Sequence, residues 1–340
     1  MIIDKFGFDY KKPCGGGLVH PTLEEFPYLK SIVTHTTTNL RVNYMSLHRN
    51  FTVTVNMVAR DEMRKLMIRR LLSKDENNHR LSLLYNTSIL NVDLENHRII
   101  TAPSKLNITY DHLIGADGAN SIVAKSIGFK THKVLNIIRL FSSNDNIPIL
   151  KNDTLHIEFL PKTLGYFWIF PKGNHLNVGI GGDLNGKRLR ELFELLLTKH
   201  GLDLCELTET YRSAHLIPIH YSGISPWNDK HNIILCGDAA GFVNPLTGEG
   251  LYFALKSGQE AGEVICKKRY LFDYPSFDRY LLRLQTLKNT LDGQNTSQTF
   301  KQLFCDDETA EDTMEFLTTH YIPEHRILTE EEKTKIYDKL

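Results

Sequence analysis

One stretch of this 340-residue chain, Ile233–Gly250, restricts the possible folds more than any other. A short apolar run ends in Gly237 and Asp238, small residues follow, and Asn-Pro-Leu-Thr-Gly-Glu-Gly then leads into apolar positions at helical spacing from Leu251. This pattern predicts a buried strand, a tight turn and a helix N-terminus. A carboxylate at the strand end suits sugar or ribityl hydroxyls, and a glycine-lined helix N-terminus suits a group that gains negative charge. The alternative is a βα turn with an acidic cap.

The bulk composition excludes several other classes of protein. The 40 basic and 40 acidic residues cancel, so nothing indicates a nucleic acid as partner. The five cysteines are scattered and form no Cys-x-x-Cys pair, and the 15 histidines include no His-Glu-x-x-His motif. We therefore expect a reducing compartment and no metal site. Without a signal peptide or a long uncharged apolar run, the expected location is cytoplasmic, with at most peripheral membrane contact.

The first residues, Met1–Lys5, form an apolar run that ends in the acid Asp4. In dinucleotide-binding folds the second strand ends in such an acid, which binds ribose hydroxyls. A Gly-x-Gly-x-x-Gly turn should precede that strand, but this motif occurs nowhere in the chain. We therefore expect a domain that begins one element late, through a misassigned start codon, a split gene or a degraded gene. An ordinary surface acid is the alternative interpretation of Asp4.

Two glycine-containing stretches carry further candidate site residues. Lys12–Leu18 contains three consecutive glycines after Cys14, which let backbone amides approach a ligand closely or form a flexible loop. Leu113–Ser121 predicts a strand, a glycine turn that contains Asp117 and a capped helix start. A plain βα turn is the alternative for this second stretch.

The segments between these motifs carry clear periodicities. Apolar and polar side chains alternate over Phe51–Met57, which predicts a half-buried strand. Arg60 then begins a predicted amphipathic helix. The apolar positions of that helix are Met63, Leu66, Met67, Leu71 and Leu72. A short helix is predicted over about residues 22–31, a β-meander over Leu81–Tyr110, and a helix over Leu189–Leu197 that ends before Gly201.

An aromatic motif lies in the middle of the chain. A predicted strand carries three aromatic side chains on one face: Tyr166, Trp168 and Phe170. After a Gly-Asn turn, a second strand carries small residues on one face: Asn177, Gly179 and Gly181. We expect these glycines to leave space for a ligand or a backbone. Plain sheet core is the alternative interpretation of the aromatic face.

Together these motifs resemble the geranylgeranyl reductase family of FAD-dependent oxidoreductases, which has a flavoprotein monooxygenase-like fold. The Ile233–Gly250 stretch resembles its second FAD fingerprint, and Gly-Ala-Asp-Gly at residues 115–118 resembles a superfamily signature. Pro-Cys-Gly-Gly-Gly and Tyr-x-Trp-x-Phe-Pro are similar to motifs of the family itself.

The resemblance implies an α/β (α+β) fold with three regions. A Rossmann-like FAD-binding domain, here without its first strand and helix, would cover residues 1–30, 59–130 and 222–268. An inserted antiparallel β-sheet substrate domain would cover residues 31–58 and 131–221. A helical C-terminal region would cover residues 269–340.

The resemblance also implies the site residues. FAD would be bound by Asp4, Cys14, Gly15, Gly17, Arg60, Asp117, Gly237, Asp238, Pro245, Gly248, Gly250 and Leu251. Catalysis and the substrate channel beside the flavin would use Cys14, Tyr166 and Trp168, with Cys14 as proton donor, redox thiol or packing residue. Where the family has Arg-x-x-Phe-Asp, this chain has Arg60-Asp-Glu-Met63-Arg64, so a solvated helix arginine is the alternative for Arg60.

The implied activity is saturation of C=C bonds in isoprenoid (geranylgeranyl) chains during membrane ether-lipid biosynthesis, with hydride from reduced FAD. NAD(P)H or ferredoxin would be the electron donor, with an electron-donor protein as a further partner. The isoprenoid lipid would be met by peripheral contact at the inner membrane face. The alternatives are another oxidoreductase of the superfamily (hydroxylase, halogenase or quinone reductase) and a truncated non-catalytic remnant.

Overall fold

The chain forms two compact units. The computed structural model describes residues 1–18, 20–75, 80–142, 153–161, 163, 165–173, 175–202, 208–218, 226–244 and 247–267. The first unit contains Met1–Cys14, Val58–Lys133 and the described part of Leu216–Phe272. The second contains Gly15–Met57 and the described part of Val134–His215. Residues 269–340, predicted to be helical, lie outside the described residues.

Strands outnumber helices among the described residues of both units. The described strands are β1 (Ile2–Ile3), β2 (Gly17–Leu18), β3 (Val33–Tyr44), β4 (Leu47–Val58), β5 (Leu83–Leu84), β6 (Ser88–Asp93), β7 (Arg98–Ala102), β8 (Asn107–Thr109), β9 (Leu113–Gly115), β10 (Lys133–Ser142), β11 (Thr154–Phe159), β12 (Gly165–Pro171), β13 (His175–Gly182), β14 (Thr208–Pro218), β15 (Trp227–Asn228) and β16 (Ile233–Leu235). The described α-helices are α1 (His20–Glu25), α2 (Arg60–Asp75), α3 (Ile122–Ser126), α4 (Gly186–Lys199) and α5 (Leu251–Lys267). Within these ranges, no helix has both the length and the apolar character needed to cross a membrane.

The first unit is assembled from small sheets. Strand β1 pairs in parallel with β5, and β9 pairs in parallel with β16. Strands β6, β7 and β8 form the predicted antiparallel meander, whereas β5 joins β1 instead. Parallel strands covered on both faces need apolar side chains throughout. The residues Ile233, Ile234 and Leu235 of β16 meet this need, because each is at most 1% exposed.

The second unit is built on an eight-stranded sheet with the order β14-β10-β13-β12-β11-β3-β4-β2. The predicted hairpin of β12 and β13 is antiparallel, as is the pairing of β10 with β13. Strand β11, however, runs parallel to β3, which differs from the fully antiparallel sheet expected from the sequence. A long stretch of chain separates β3 from β11, so no tight turn forces them to run antiparallel.

Helix α4 packs its apolar stripe on this sheet, as its spacing predicts. The side chain of Asn185 caps its N-terminus by accepting a hydrogen bond from the Arg188 N–H at 2.9 Å. Gly201 follows its C-terminus with a φ of 67°, the left-handed conformation that commonly ends helices. The buried residues that α4 contributes to the core are Leu189, Phe193, Leu196 and Leu197.

Helix α2 begins at Arg60, as predicted, but its apolar positions are not all buried. Met63 is 2% exposed, whereas Leu71 is 43% and Leu72 is 46% exposed. These two leucines of the predicted amphipathic helix are therefore exposed. Every other residue from Arg69 to Lys74 is exposed as well, so no described part of the chain buries this end of α2.

The helix predicted over about residues 22–31 is split into α1 and a 3-10 helix, Pro27–Ile32. Pro27 causes this break, because it has no N–H to donate and disfavours a helical conformation at Phe26. The strand predicted over Phe51–Met57 is confirmed as part of β4, whose residues alternate in exposure.

A cluster of charged residues fixes the C-terminal end of α4 to β11. The carboxylate of Glu158, which is 6% exposed, accepts hydrogen bonds from Lys199 Nζ and from His200 Nε2 at 2.7 Å. The ring of His200 also stacks on Phe167 with centroids 5.4 Å apart. Burial raises the pKa of Glu158, but the hydrogen bonds from His200 and Lys199 outweigh it and hold the pKa below its usual value.

His156, on the same strand, should make stability depend on pH. Burial, assisted by the positive charges of His200 and Arg41, lowers the pKa of His156 from 6.5 to about 4. Between these values the unfolded chain binds more protons than the folded chain, so we expect the free energy of unfolding to fall as pH drops from 6.5 towards 4. Urea titrations at several pH values check this. The His156→Gln variant should show a smaller slope of the free energy of unfolding against pH. A part of the slope should remain, because burial also lowers the pKa of His175.

The control for this prediction is His112→Gln, at an exposed position. Glu158 adds a loss of stability in the same direction below pH 4.5, so the informative range lies between pH 6.5 and 4.5. An unchanged slope in the His156→Gln variant would contradict the assignment.

Candidate functional site

The strand, turn and helix predicted over Ile233–Gly250 form in the first unit. Strand β16 ends before a 3-10 turn, Gly237–Ala240, and α5 begins at Leu251. The turn starts with Gly237 at a φ of 53°, a conformation that favours glycine. The hydroxyl of Ser257, on α5, accepts a hydrogen bond from the Gly237 N–H at 3.0 Å and donates one to the Phe253 carbonyl at 2.6 Å. Ser257 therefore fixes the strand end to the helix, a role that no sequence motif indicated.

Asp238 lies in that turn, with a carboxylate that is largely buried but accessible. Its side chain is 15% exposed, and its Oδ2 atom lies 3.2 Å from Lys12 Nζ. Gly250 lies beside it, where a Cβ would be 3.5 Å from Asp238 Oδ1 and 3.1 Å from Val243 Cγ2. The absence of a side chain at Gly250 thus keeps one face of the carboxylate open. Lys12 is a cation that the sequence reasoning missed, because it belongs to a loop far from Asp238 in the chain.

Glu249 provides a second carboxylate, at the N-terminus of α5. Its Oε1 atom accepts a hydrogen bond from the Tyr252 N–H at 2.8 Å, and the Leu251 N–H also bonds to this carboxylate. The Oε2 atom is buried and has no hydrogen-bond partner among the described residues. Burial raises the pKa of Glu249 to about 7, the charge of Asp238 adds to the rise, and the two N–H groups oppose it. Gly248 precedes Glu249 at a φ of 66°, a conformation that favours glycine.

Leu251 is a predicted cofactor contact. In the structure its backbone N–H donates a hydrogen bond to the Glu249 carboxylate.

Asp4 lies directly after β1, as predicted, and its carboxylate is engaged from two sides. Oδ1 accepts a hydrogen bond from the Phe6 N–H at 2.9 Å, and Oδ2 accepts one from Arg64 at 2.8 Å. Arg64 also donates to the backbone carbonyls of Gly7 and Phe8. The residue that departs from the family pattern thus organises the segment after β1. Arg60 begins α2 and is half-buried.

Asp117 acts as a helix cap in the structure. Its carboxylate accepts hydrogen bonds from the Ser121 hydroxyl, from the Ile122 N–H at 2.7 Å and from the Val123 N–H at 3.4 Å. A Cβ at Gly115 would lie 2.7 Å from a side-chain atom of Leu235 on β16 and 2.9 Å from Val123 on α3, so this glycine permits close packing of strand and helix. These contacts agree with the plain βα turn that the sequence left open, and cofactor binding by Asp117 stays a prediction.

In the second unit the three aromatic residues of β12 form a row on one face of the sheet, as predicted. The ring centroids of Tyr166 and Trp168 are 5.7 Å apart, and those of Trp168 and Phe170 are 6.1 Å apart. Trp168 is 5% exposed, and its Nε1–H donates to Asn177 Oδ1 at 2.9 Å. The glycine triplet approaches this row, because a Cβ at Gly15 would lie 3.3 Å from Phe170 and 3.9 Å from Trp168 Nε1.

The glycines of β13 do not leave space for a ligand, and that expectation is corrected. A Cβ at Gly179 would lie 2.1 Å from Cζ2 of Trp168, and one at Gly181 would lie 1.9 Å from Oδ1 of Asn136. The indole and the amide therefore already occupy the space beside these glycines. In the antiparallel pairing of β12 with β13, Gly179 lies directly opposite Trp168. The glycine, which has no side chain, thus makes room for the large indole ring.

The remaining predicted site residues are Cys14, Gly17 and Pro245. Cys14 is half-buried, and Gly17 belongs to β2, where a Cβ would lie 3.3 Å from Val55 Cγ1. Pro245 lies outside the described residues.

Burial raises the pKa of Cys236 to about 12, so this thiol is protonated and unreactive at neutral pH.

The comparisons with known proteins agree with these motifs. No family model matches the chain. A protein of Methanosarcina barkeri with uncharacterised function is 28% identical over 292 residues, covering 82% of this chain and 72% of that protein. The digeranylgeranylglycerophospholipid reductase of Methanococcus vannielii is 34% identical over 167 residues, covering 46% of this chain and 40% of the reductase. The alignment with this named reductase thus spans less than half of its length.

Solved structures show the same fold at low sequence identity. A geranylgeranyl bacteriochlorophyll reductase-like protein of Thermoplasma acidophilum matches with a TM-score of 0.72 at 18% identity, covering 99% of this chain and 92% of that one. The flavin-dependent halogenase CmlS matches with a TM-score of 0.61 at 15% identity, covering 99% of this chain and 72% of the halogenase. The chain therefore has the fold of these flavoproteins, and 46% of its length is similar in sequence to a named digeranylgeranylglycerophospholipid reductase.

Proposed function

We propose that this chain is an FAD-dependent reductase that saturates C=C bonds of isoprenoid chains of the geranylgeranyl class in membrane ether-lipid biosynthesis. The observation that carries the proposal is the row of rings on β12, with the centroids of Tyr166 and Trp168 5.7 Å apart and those of Trp168 and Phe170 6.1 Å apart. Neighbouring rings on one face of a sheet form an apolar surface, which suits a flat or extended apolar ligand. The family resemblance and the name of the Methanococcus vannielii relative support the same activity.

The polar groups of the first unit fit FAD. Asp238 offers a carboxylate for ribityl hydroxyls, with Gly250 leaving its approach open and Lys12 balancing its charge. Asp4 makes two hydrogen bonds and keeps acceptor capacity for ribose hydroxyls, because a carboxylate offers about four acceptor sites. Bound FAD would supply the hydride chemistry that side chains lack.

The chemistry of the substrate explains why an apolar row is needed. An isolated alkene has no carbonyl that a charged side chain could polarise, so the protein must position the chain and exclude water. The indole N–H of Trp168 is the polar group of that side chain. It donates its hydrogen bond to Asn177 and therefore needs no water molecule as an acceptor. Tyr166, which is half-buried, extends this surface beside Trp168.

The test is a reduction assay without oxygen. The purified chain would be incubated with FAD, dithionite and a geranylgeranyl glycerol ether, and the lipid would be analysed by mass spectrometry. We expect products heavier by successive pairs of hydrogen atoms. A flavin-loaded chain that leaves the lipid unchanged, but adds one oxygen atom to an aromatic substrate when air is admitted, would contradict the proposal and favour a hydroxylase.

The Asp238→Asn variant should bind FAD about 10- to 100-fold more weakly. The reason is that a hydrogen bond to a charged acceptor contributes about 1.5–3 kcal/mol, and the neutral amide forfeits most of it. Titration of FAD followed by quenching of its fluorescence measures the dissociation constant. Asp229→Asn is the matched control, since it removes the same charge at an exposed position of the same unit. Equal affinities of the two variants would remove Asp238 from the proposed site.

A further inference from the structure

Glu249 carries a carboxyl group that the proposed function leaves without a role, and its two oxygen atoms lie in different surroundings. Oε1 accepts hydrogen bonds from the N–H groups of Tyr252, at 2.8 Å, and Leu251. Oε2 is enclosed by protein atoms and has no hydrogen-bond partner among the described residues. An ionised oxygen that is removed from water and left unpaired costs free energy, so glutamate is rarely buried in this way. The geometry therefore favours the neutral form of this side chain, with a proton on Oε2.

The charges around Glu249 also favour its neutral form. Asp238, in the 3-10 turn before α5, brings a second negative charge close to the carboxyl group. Lys12, on the loop beside that turn, is paired with Asp238 at 3.2 Å. The first charged side chain along α5 is Lys256, on the second turn of the helix, and it is paired with Glu260 at 3.7 Å. Within the described ranges, no cation forms an ion pair with Glu249.

The position of Glu249 connects this carboxyl group to the proposed cofactor site. Gly250, the next residue, lies against Asp238, since a Cβ there would be 3.5 Å from Asp238 Oδ1. A cofactor that binds the Asp238 carboxylate therefore covers the neighbour of Glu249 and excludes water around it. FAD also carries a negatively charged pyrophosphate group. Exclusion of water and added negative charge both disfavour an ionised carboxyl group, so a bound cofactor should strengthen the binding of a proton to Glu249.

We propose that Glu249 is a positioning residue whose carboxylate takes up one proton from solvent when FAD binds beside Asp238, an inference that rests on the FAD binding proposed above. A neutral Glu249 leaves the positive N-terminal end of α5 uncompensated, so that this end of the helix stabilises negative charge on the ligand. The step converts a carboxylate into a carboxylic acid. It breaks no bond of FAD and transfers no electron.

The pH dependence of FAD binding has a definite direction. Burial raises the pKa of Glu249 in the free protein to about 7, and the complex should hold the proton to higher pH. Between the two pKa values the complex binds more protons than the free protein, so the affinity for FAD falls as the pH rises above about 7. At lower pH both forms are protonated and the affinity no longer changes. One proton alters the dissociation constant by at most about ten-fold per pH unit.

Titrations of FAD at several pH values, followed by quenching of its fluorescence, test the inference. For the wild-type chain we expect the dissociation constant to rise about ten-fold or more between about pH 6 and pH 8.5. The amide of Glu249→Gln resembles the neutral acid, so this variant should lose the dependence and bind FAD about ten-fold more tightly than the wild-type chain at about pH 8.5. A glutamate that served only as a helix cap would not make binding tighter when it is replaced.

Glu62→Gln is the matched control. Glu62 lies in the first turn of α2, in the same unit, and its side chain is 46% exposed. Because water solvates this carboxylate, the substitution should leave the pH dependence of FAD binding as in the wild-type chain.

Calorimetry adds a measurement that needs no variant. FAD is titrated into the protein at about pH 7.5 in two buffers with different enthalpies of ionisation, and the difference in heat counts the protons exchanged. We expect the wild-type chain to take up more than about half a proton per FAD, and Glu249→Gln to take up almost none.

Two results would overturn the inference. One is FAD binding by the wild-type chain without proton uptake, and the other is a Glu249→Gln variant that keeps the full pH dependence, since the proton then binds elsewhere. A wild-type chain that binds no FAD at any of these pH values would instead overturn the proposed function, so the two failures are distinguishable.

Discussion

Gly179→Ala should lower the free energy of unfolding of the second unit by about 3 kcal/mol or more, because there is no room for a methyl group beside Trp168. A Cβ at this position would lie 2.1 Å from Cζ2 and 2.5 Å from Cε2 of the indole. Trp168 cannot move away cheaply, since it is 5% exposed and hydrogen-bonded to Asn177, which is 1% exposed. Displacing the ring would break the hydrogen bond between Trp168 and Asn177.

Urea denaturation followed by tryptophan fluorescence measures this effect. The sequence contains two tryptophans, and Trp227 belongs to the first unit, so a Trp227→Phe background isolates the signal of Trp168. Gly173→Ala is the matched control in the same hairpin. No described atom lies within 4 Å of a Cβ there, so only the left-handed backbone, with a φ of 66°, opposes alanine, at a cost of about 1–2 kcal/mol.

A double-mutant cycle separates the steric cause from a general weakness of the strand. Trp168→Phe removes the second ring of the indole and should leave room for a methyl group at position 179. In that background we expect Gly179→Ala to cost less than about 1.5 kcal/mol. An equal cost in both backgrounds would show that contact with the indole is not the cause.

The pairing of Gly179 with Trp168 also shows what the sequence could predict. Alternation alone assigns Tyr166, Trp168 and Phe170 to one face, because successive side chains of a strand point to opposite sides. It does not determine which atom fills the space beside a glycine, since that depends on strand pairing and on side-chain rotamers. The indole and the Asn136 amide fill that space here, so the expected cleft is absent at these two glycines.

The contacts of Arg64 could not be predicted for a different reason. Its acceptors are the carboxylate of Asp4 and the backbone carbonyls of Gly7 and Phe8. Gly7 and Phe8 belong to no sequence motif, and the motif that contains Asp4 does not involve position 64. Carbonyl acceptors exist at every residue, so only the path of the chain selects these two. The nearest signal in the sequence was the departure itself, an arginine at a position where the family has an acid.

Arg64→Ala should lower the free energy of unfolding of the first unit by about 3 kcal/mol. Its guanidinium donates to three acceptors in residues 4–8 and lies 5.8 Å from the ring centroid of Tyr85, with the side chain 14% exposed. Removing one partner of a largely buried ion pair costs about 3–5 kcal/mol. The lower end applies here because the Asp4 side chain is 33% exposed and water can solvate it. Fluorescence of Trp227 in a Trp168→Phe background reports this unit.

Two further variants divide the role of Arg64 into its parts. Arg64→Lys keeps the charge, but its single ammonium group cannot reproduce the fork of N–H groups, so we expect a loss of about 1–2 kcal/mol. Lys230→Ala is the matched control in the same unit: it removes an ion pair with Glu95 whose side chains are 72% and 78% exposed, and it should change stability by less than about 0.5 kcal/mol.

FAD binding distinguishes whether Arg64 acts on the fold alone or also on the cofactor through Asp4. Asp4→Asn leaves the hydrogen bonds of Arg64 to Gly7 and Phe8 intact, so it should cost only about 1 kcal/mol of stability. If Asp4 binds a ribose hydroxyl, this variant should nevertheless weaken FAD binding about ten-fold, and Arg64→Ala should do so as well because the segment that carries Asp4 is then unanchored. If Asp4→Asn binds FAD with unchanged affinity, Asp4 is only the partner of Arg64, and the departure from the family pattern has replaced a cofactor contact with a structural ion pair.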